Sequence, residues 1–143
     1  MNSSGDLRLI IRKDIPPKAI SQKEKNVIIN GIDSQAQRRG IKLTEENLEA
    51  ACQFPSHRPF FNRMLVDEAG RIYVREAESI LDRSGEVHLD VYSREGYYLY
   101  RLAIPFNPEF IRKGFMYDVS NSEETGEVRI KRFRIGNWDR MET

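Results

Sequence analysis

Residues 60–79, FFNRMLVDEAGRIYVREAES, decide the fold. Two short apolar runs, 60–66 and 71–76, flank the turn tetrad Asp67-Glu68-Ala69-Gly70, and from Phe60 onward the period is read as two. A period of two marks a half-buried strand, and a glycine closing a short polar connection supplies the backbone freedom that a hairpin turn needs. The spacing therefore predicts an antiparallel hairpin.

The same period continues downstream. Val87, Leu89 and Val91 alternate with His88, Asp90 and Tyr92, and SREG at 93–96 turns the chain into a run at 97–104. That makes four strands in a meander. After the breaker PFNP at 105–108 come 110–112, a turn at Lys113-Gly114, 115–120, the turn SEETG and 127–135, which adds three more. In the last run Val128 and Ile130 lie on one phase and Phe133 and Ile135 on the other. A bulge near Lys131 or Arg132 is expected if both pairs face one core. Tyr98 and Tyr100 are expected on the same face of their strand.

Upstream the period changes. Leu7, Leu9 and Ile11 alternate with Arg8, Ile10 and Arg12, which predicts a strand at 7–13 that stops before the prolines of DIPPKAI. Ser21 with Glu24 three residues on is a capping box. Ile28, Ile32 and Ala36 follow at helical spacing, and Arg38-Arg39-Gly40 supplies a positive last turn and a C-cap, so the segment reads as an amphipathic helix weakened by Gly31. A second, short helix begins at Thr44, with Glu45 and Glu46 in its first turn, and ends near Gln53. FPSHRPF then reads as a connector.

The chain of 143 residues fits one domain, yet hydrophobic residues make up only 39% and charged ones 31%, so its core is expected to be thin. Twenty-three basic residues against twenty-two acidic leave a net charge of +1, which gives no overall attraction to nucleic acid or to an anionic membrane. Cys52 is the only cysteine, which excludes an intramolecular disulfide and any multi-cysteine metal site. No apolar run reaches the length of a membrane span, and residues 1–14 lack the pattern of a signal peptide. The chain reads as soluble, with its compartment left open, since a longer parent could be exported.

A four-stranded meander, a proline break and a three-stranded meander follow the rhythm of β-propeller blades, roughly 40 to 50 residues each. VDEAGRIYV (66–74) resembles the V-D-x-x-G-x-I/L-Y/W-V signature of blade strands in six-bladed propellers of the NHL-like and TolB-like group, and DVYSREGYYLYRLAIP (90–105) resembles their recurring D-V-F-x-x-x-G-x-x-L hairpin. GDLRLIIRKDIPPKAIS (5–21) is similar to a passage in one bacterial group of such propellers, where an outer strand leads into a helical insertion. The resemblance covers nearly the whole chain. It implies a mainly β fold of about two antiparallel four-stranded blades, one split between the chain ends, with a helical insertion that packs on a blade face or rim.

On this reading residues 1–20 hold the outer strand of a preceding blade and a proline linker. Residues 21–59 hold the helical insertion and connector, 60–105 a complete blade, and 106–143 a three-stranded partial blade and tail. A full six-bladed ring needs about 250 to 350 residues, so the remaining blades belong either to a longer chain or to neighbouring copies. In the second case residues 7–13 of one copy complete the last blade of the next, and three copies form a head-to-tail homo-oligomer.

Chemistry is sparse. His57, in a proline-flanked loop beside Arg58, has no second ligand at metal-binding spacing, and His88 lies inside a strand opposite the apolar phase. Cys52 shares a helix face with Leu48 and Ala51 and reads as a small buried hydrophobe rather than a nucleophile. Asp14, Asp67-Glu68 and Glu123-Glu124 sit in turns, where acids serve local backbone hydrogen bonds and solvation. Arg129, Lys131, Arg132 and Arg134 interleave with Phe133 and Trp138, a pattern that single-stranded nucleic acid can use, but with the net charge near zero a solvated sheet face explains it and nucleic acid is not an expected partner. No catalytic residue, cofactor or metal site is expected. The resemblance instead implies a binding or interaction module for an unknown ligand or protein, with His57, Arg58, Asn62 and Arg63 as candidate contacts. The alternative is a fragment of a propeller hydrolase or lyase whose active residues lie largely outside this chain.

Overall fold

The computed structural model describes residues 9–82, 84–122, 125–136 and 138. It is mainly β, with two antiparallel sheets and two helices. The first sheet is β1 (Phe61–Val66), β2 (Ile72–Glu76), β3 (Val87–Tyr92) and β4 (Tyr98–Ile104), paired in chain order. The second is β5 (Phe110–Arg112), β6 (Phe115–Asn121) and β7 (Val128–Arg134), also in chain order. Two compact units result. Both sheets and residues 9–14 form one; residues 15–60 and 77–84 form the other.

In the sheet unit one core joins the two sheets. Tyr73, Val87, Leu89 and Val91 of the first sheet cluster with Ile111 and Met116 of the second, and Leu65, Tyr100, Leu102, Phe106 and Trp138 pack around them. Register explains the choice. Tyr73 pairs with Val91, and Val91 with Tyr100, so pairing and pleat bring these three onto one side. Tyr73, Leu89 and Val91 are almost fully buried, each contributing about 1.5–3 kcal/mol of apolar transfer. The tightest connection is the two-residue loop between β5 and β6, where Lys113 (φ 48°) and Gly114 (φ 75°) both take left-handed backbone, as a type I′ hairpin requires.

Three expectations are corrected here. β7 pairs with β6 in unbroken register from Val128 to Arg134, so there is no bulge at Lys131 or Arg132. Phe133 and Ile135 turn to the core side while Val128 and Ile130 face the opposite way, exposed. The irregularity lies instead in β4. Tyr92 pairs with Tyr98 and Val91 with Tyr100, so Leu99 is an extra residue, and the two tyrosines face opposite sides. Tyr98 meets the edge of the Tyr92 ring at 5.7 Å, while Tyr100 packs on the core.

The third correction concerns the strand expected at 7–13. Residues 7 and 8 lie outside the described residues, and 9–13 make no strand pairing. Side chains hold the segment. Lys13 Nζ lies 2.5 Å from Asp90 Oδ2, and Leu9 and Ile11 approach Gly96 in the β3–β4 turn. The alternation of Leu9 and Ile11 with their neighbours gives residues 9–13 an apolar side, and side-chain anchoring replaces backbone pairing.

The helical unit holds α1 (Gln22–Arg38) and α2 (Glu45–Ala51). The capping box forms as its sequence requires: Ser21 accepts from the Glu24 N–H, and the Glu24 carboxylate accepts from the Ser21 N–H. At the other end Gly40 (φ 73°) closes a Schellman motif, with Ile41 N–H donating to Ala36 and Gly40 N–H to Gln37. The amphipathic expectation is only weakly met, since Val27 and Ile32 are exposed and Glu24 is the one buried residue of α1. Cys52, at the C-cap of α2, is half-buried rather than in a core.

Candidate functional site

The strongest polar constellation of the sheet unit sits at the β1–β2 turn. Asp67 follows β1 directly, and its carboxylate faces the hairpin it closes. The Arg71 N–H donates to Asp67 Oδ1 at 3.0 Å, Arg71 Nε–H to Oδ2 at 2.7 Å and the Tyr73 hydroxyl to Oδ2 at 3.1 Å. Both partners of the ion pair are buried, with side-chain exposures of 5% and 0%. The Arg71 guanidinium carbon lies 3.9 Å from the centre of the Trp138 ring, a cation–π contact. Burial beside the Asp67 charge pushes the Tyr73 hydroxyl far above its ordinary range, so it stays a donor. Asp67 thus makes the local backbone hydrogen bond expected of an acid in a turn, but as a buried anchor rather than a solvated one.

A second cluster lies on the opposite face of the same sheet. Arg101 pairs with Asp90 at 2.9 Å and with Glu76 at 3.0 Å, and Lys13 reaches Asp90 from the amino-terminal segment. Burial raises the Asp90 carboxyl, but hydrogen bonds from Arg101 and Lys13 outweigh it and hold the group below its ordinary value. In the helical unit the buried Glu24 accepts from Ser79 Oγ at 2.5 Å besides its capping bonds. The Ser79 hydroxyl, the Ser21 N–H and hydroxyl, and the Arg58 charge hold its carboxyl down to about 2. Each of these acids is committed to neighbouring donors.

The four candidate contact residues divide between the units. His57 is exposed, its Nδ1 2.8 Å from Ser56 Oγ, and it forms an isolated bridge with Ala19. Arg58 is half-buried, its Nε 3.4 Å from Glu24 Oε1, near enough for an ion pair but not aligned as a hydrogen bond. In the sheet unit Asn62 is exposed at an irregularity in the β1–β2 register. Arg63 is clamped by Glu109: Nη1–H donates to Oε1 at 3.1 Å and Nη2–H to Oε2 at 2.5 Å. Arg58 and Arg63 are therefore structural ties, and His57 and Asn62 keep exposed side chains. His88, half-buried, shares the outward phase of β3 with Asp90. Among the described residues, no group of three or more His, Cys, Asp or Glu is placed to hold a metal ion.

What the geometry leaves open is surface. On the face of the first sheet away from the core, Phe61, Met64 and Val66 are more than half exposed. On the far face of the second, Phe110 stacks on Tyr117 at 4.3 Å, and Val128 and Ile130 are exposed beside them. Sequence periodicity carried this signal already: the phase of Val128 and Ile130 was visible, and only the assumption of a single core hid its meaning. No family model, curated protein or solved structure matches the chain.

Proposed function

We propose that the chain is a binding or interaction module, part of a six-bladed β-propeller of the NHL-like and TolB-like group in which sheets stack radially. The supporting observation is the pair of apolar outer faces. Two sheets bury one face each against the other, and each keeps exposed apolar residues on its second face, Phe61, Met64 and Val66 beside the Arg101 ion cluster on one and Val128 and Ile130 beside Arg132 and Arg134 on the other. Repeated sheets stacked face to face use both faces of every sheet. For the isolated chain the occupant of each outer face is the opposite face of a neighbouring copy, a heterologous contact that a ring of three copies closes. Ligand contact then falls to exposed side chains near strand ends, Asn62 at the start of β1 among them.

Light scattering at micromolar concentration tests this. The expected mass is that of an oligomer, reduced by either Met64→Lys or Ile130→Lys. A mixture of the two variants forms a dimer, because each retains one intact face. A monomeric mass for the unsubstituted chain overturns the reading.

A further inference from the structure

The free edge of β7 is a separate surface, and it does not depend on how many sheets stack. Among the described residues β7 is hydrogen-bonded to β6 alone, and all seven of its residues are exposed. An edge strand presents a row of unpaired N–H and C=O groups, which proteins blunt with prolines, bulges or charges. Here there is no proline and no break in register; only charge guards the edge.

That charge has one sign. Arg129, Lys131, Arg132 and Arg134 lie within Val128–Arg134, which contains no acid. Arg129 is tied to Glu127 at 3.2 Å and Arg132 covers the Phe115 ring. Among the described residues neither Lys131 nor Arg134 has a carboxylate within 4.0 Å. Alternation puts Arg129 and Lys131 on the face with Phe133, and Arg132 and Arg134 on the face with Val128 and Ile130. Both sides of the edge therefore offer two cations beside apolar groups. The other outer edge differs: the single cation of β4, Arg101, is already held by Asp90 and Glu76.

We propose that the β7 edge receives an acidic segment in extended conformation as the fourth strand of its sheet. Backbone pairing supplies the affinity, and facing carboxylates supply the selectivity. The chain's own residues 7–13, LRLIIRK, are a poor occupant, since Arg8, Arg12 and Lys13 would face four cations. A second β7 fails for the same reason. Single-stranded nucleic acid also carries negative charge, but the aromatics it would stack on are engaged: Phe133 stacks on Phe106 at 3.9 Å and Trp138 on Arg71.

The test uses the full chain and a fluorescent peptide of alternating glutamate and valine, as long as β7, read by anisotropy. Two further versions carry N-methyl groups on alternate amides, one version for each phase, and an oligothymidylate serves as the nucleic-acid probe. The expected result is saturable peptide binding that weakens with salt, that one of the two N-methyl phases abolishes, and that Lys131→Glu with Arg134→Glu weakens about tenfold. Hydrogen exchange should slow along 128–134 on binding. No saturable binding, equal binding by both N-methylated peptides, or oligothymidylate binding tighter than the peptide overturns the proposal. So does equal binding by a peptide of residues 7–13. The N-methyl comparison is made on the unsubstituted chain and stands whether or not the charge variants fold.

Discussion

Replacing Asp67 with alanine removes the acceptor of three hydrogen bonds and the counter-charge of a buried guanidinium. Arg71 Nη1 and Nη2 are buried with no hydrogen-bond partner, so no other acceptor is at hand to take over. Breaking a buried pair by deleting one partner costs about 3–5 kcal/mol, and the guanidinium left without an acceptor places this site near the middle of that range, about 4 kcal/mol. For a chain of this length that corresponds to a fall in Tm of roughly 10–15 °C. Trp138 is the only tryptophan and lies against Arg71, so its fluorescence during urea unfolding reports directly on the site. The double variant Asp67→Leu with Arg71→Met removes both charges. It should cost only about 1–2 kcal/mol. A loss below about 1 kcal/mol for Asp67→Ala, or an equal loss for the single and double variants, refutes the assignment of a buried, mutually dependent pair.

Other outcomes follow from the same geometry. Because Glu24 is held down to about 2 when folded against an ordinary 4.5, its stabilising contribution is complete above pH 4.5 and is lost as pH falls toward 2; Glu24→Gln should flatten the dependence of the urea midpoint on pH in that window. Gly96→Ala meets a backbone φ of 91° and places its Cβ 2.9 Å from Leu9 Cδ1, so it should destabilise by at least ~1–2 kcal/mol. If residues 9–13 lie over that turn, Leu9→Ala relieves part of the loss, and strict additivity of the two changes counts against the placement. His57→Ala and Asn62→Ala touch exposed groups and should shift thermal stability by no more than ~0.5 kcal/mol.

The elements readable in advance are those set by neighbours along the chain. The Ser21–Glu24 capping box, the left-handed Lys113-Gly114 turn and the alternation of Val87, Leu89 and Val91 each need only a few residues to define them, and each forms as read. What depends on a partner strand was not readable. The extra residue at Leu99 exists only relative to Tyr92 and Val91, so Tyr98 and Tyr100 looked alike when counted along one strand. The bulge expected in β7 came from requiring every apolar side chain to share one core; the register shows two faces instead. Asp67 makes the local backbone hydrogen bond expected of an acid in a turn, but it is buried where solvation was expected. Its position before a turn suggested solvent, whereas the arginine four residues on and the tyrosine six residues on were the signal of a buried anchor. Arg58 and Arg63 were read as candidate contacts because the sequence could not show that Glu24 and Glu109 meet them.

The unbroken register of β7 has a consequence for storage and handling. Only repulsion keeps such a ribbon from zipping onto its own kind, and repulsion between surface charges reaches about 10 Å in 0.1 M salt but about 3 Å in 1 M. Concentrated electrolyte therefore removes the guard while leaving the backbone groups intact. Pairing of one such edge with another is isologous and closes as a dimer, so dimerisation of this protein should be driven by raising ionic strength and reversed by dilution, the opposite of an assembly held together by ion pairs.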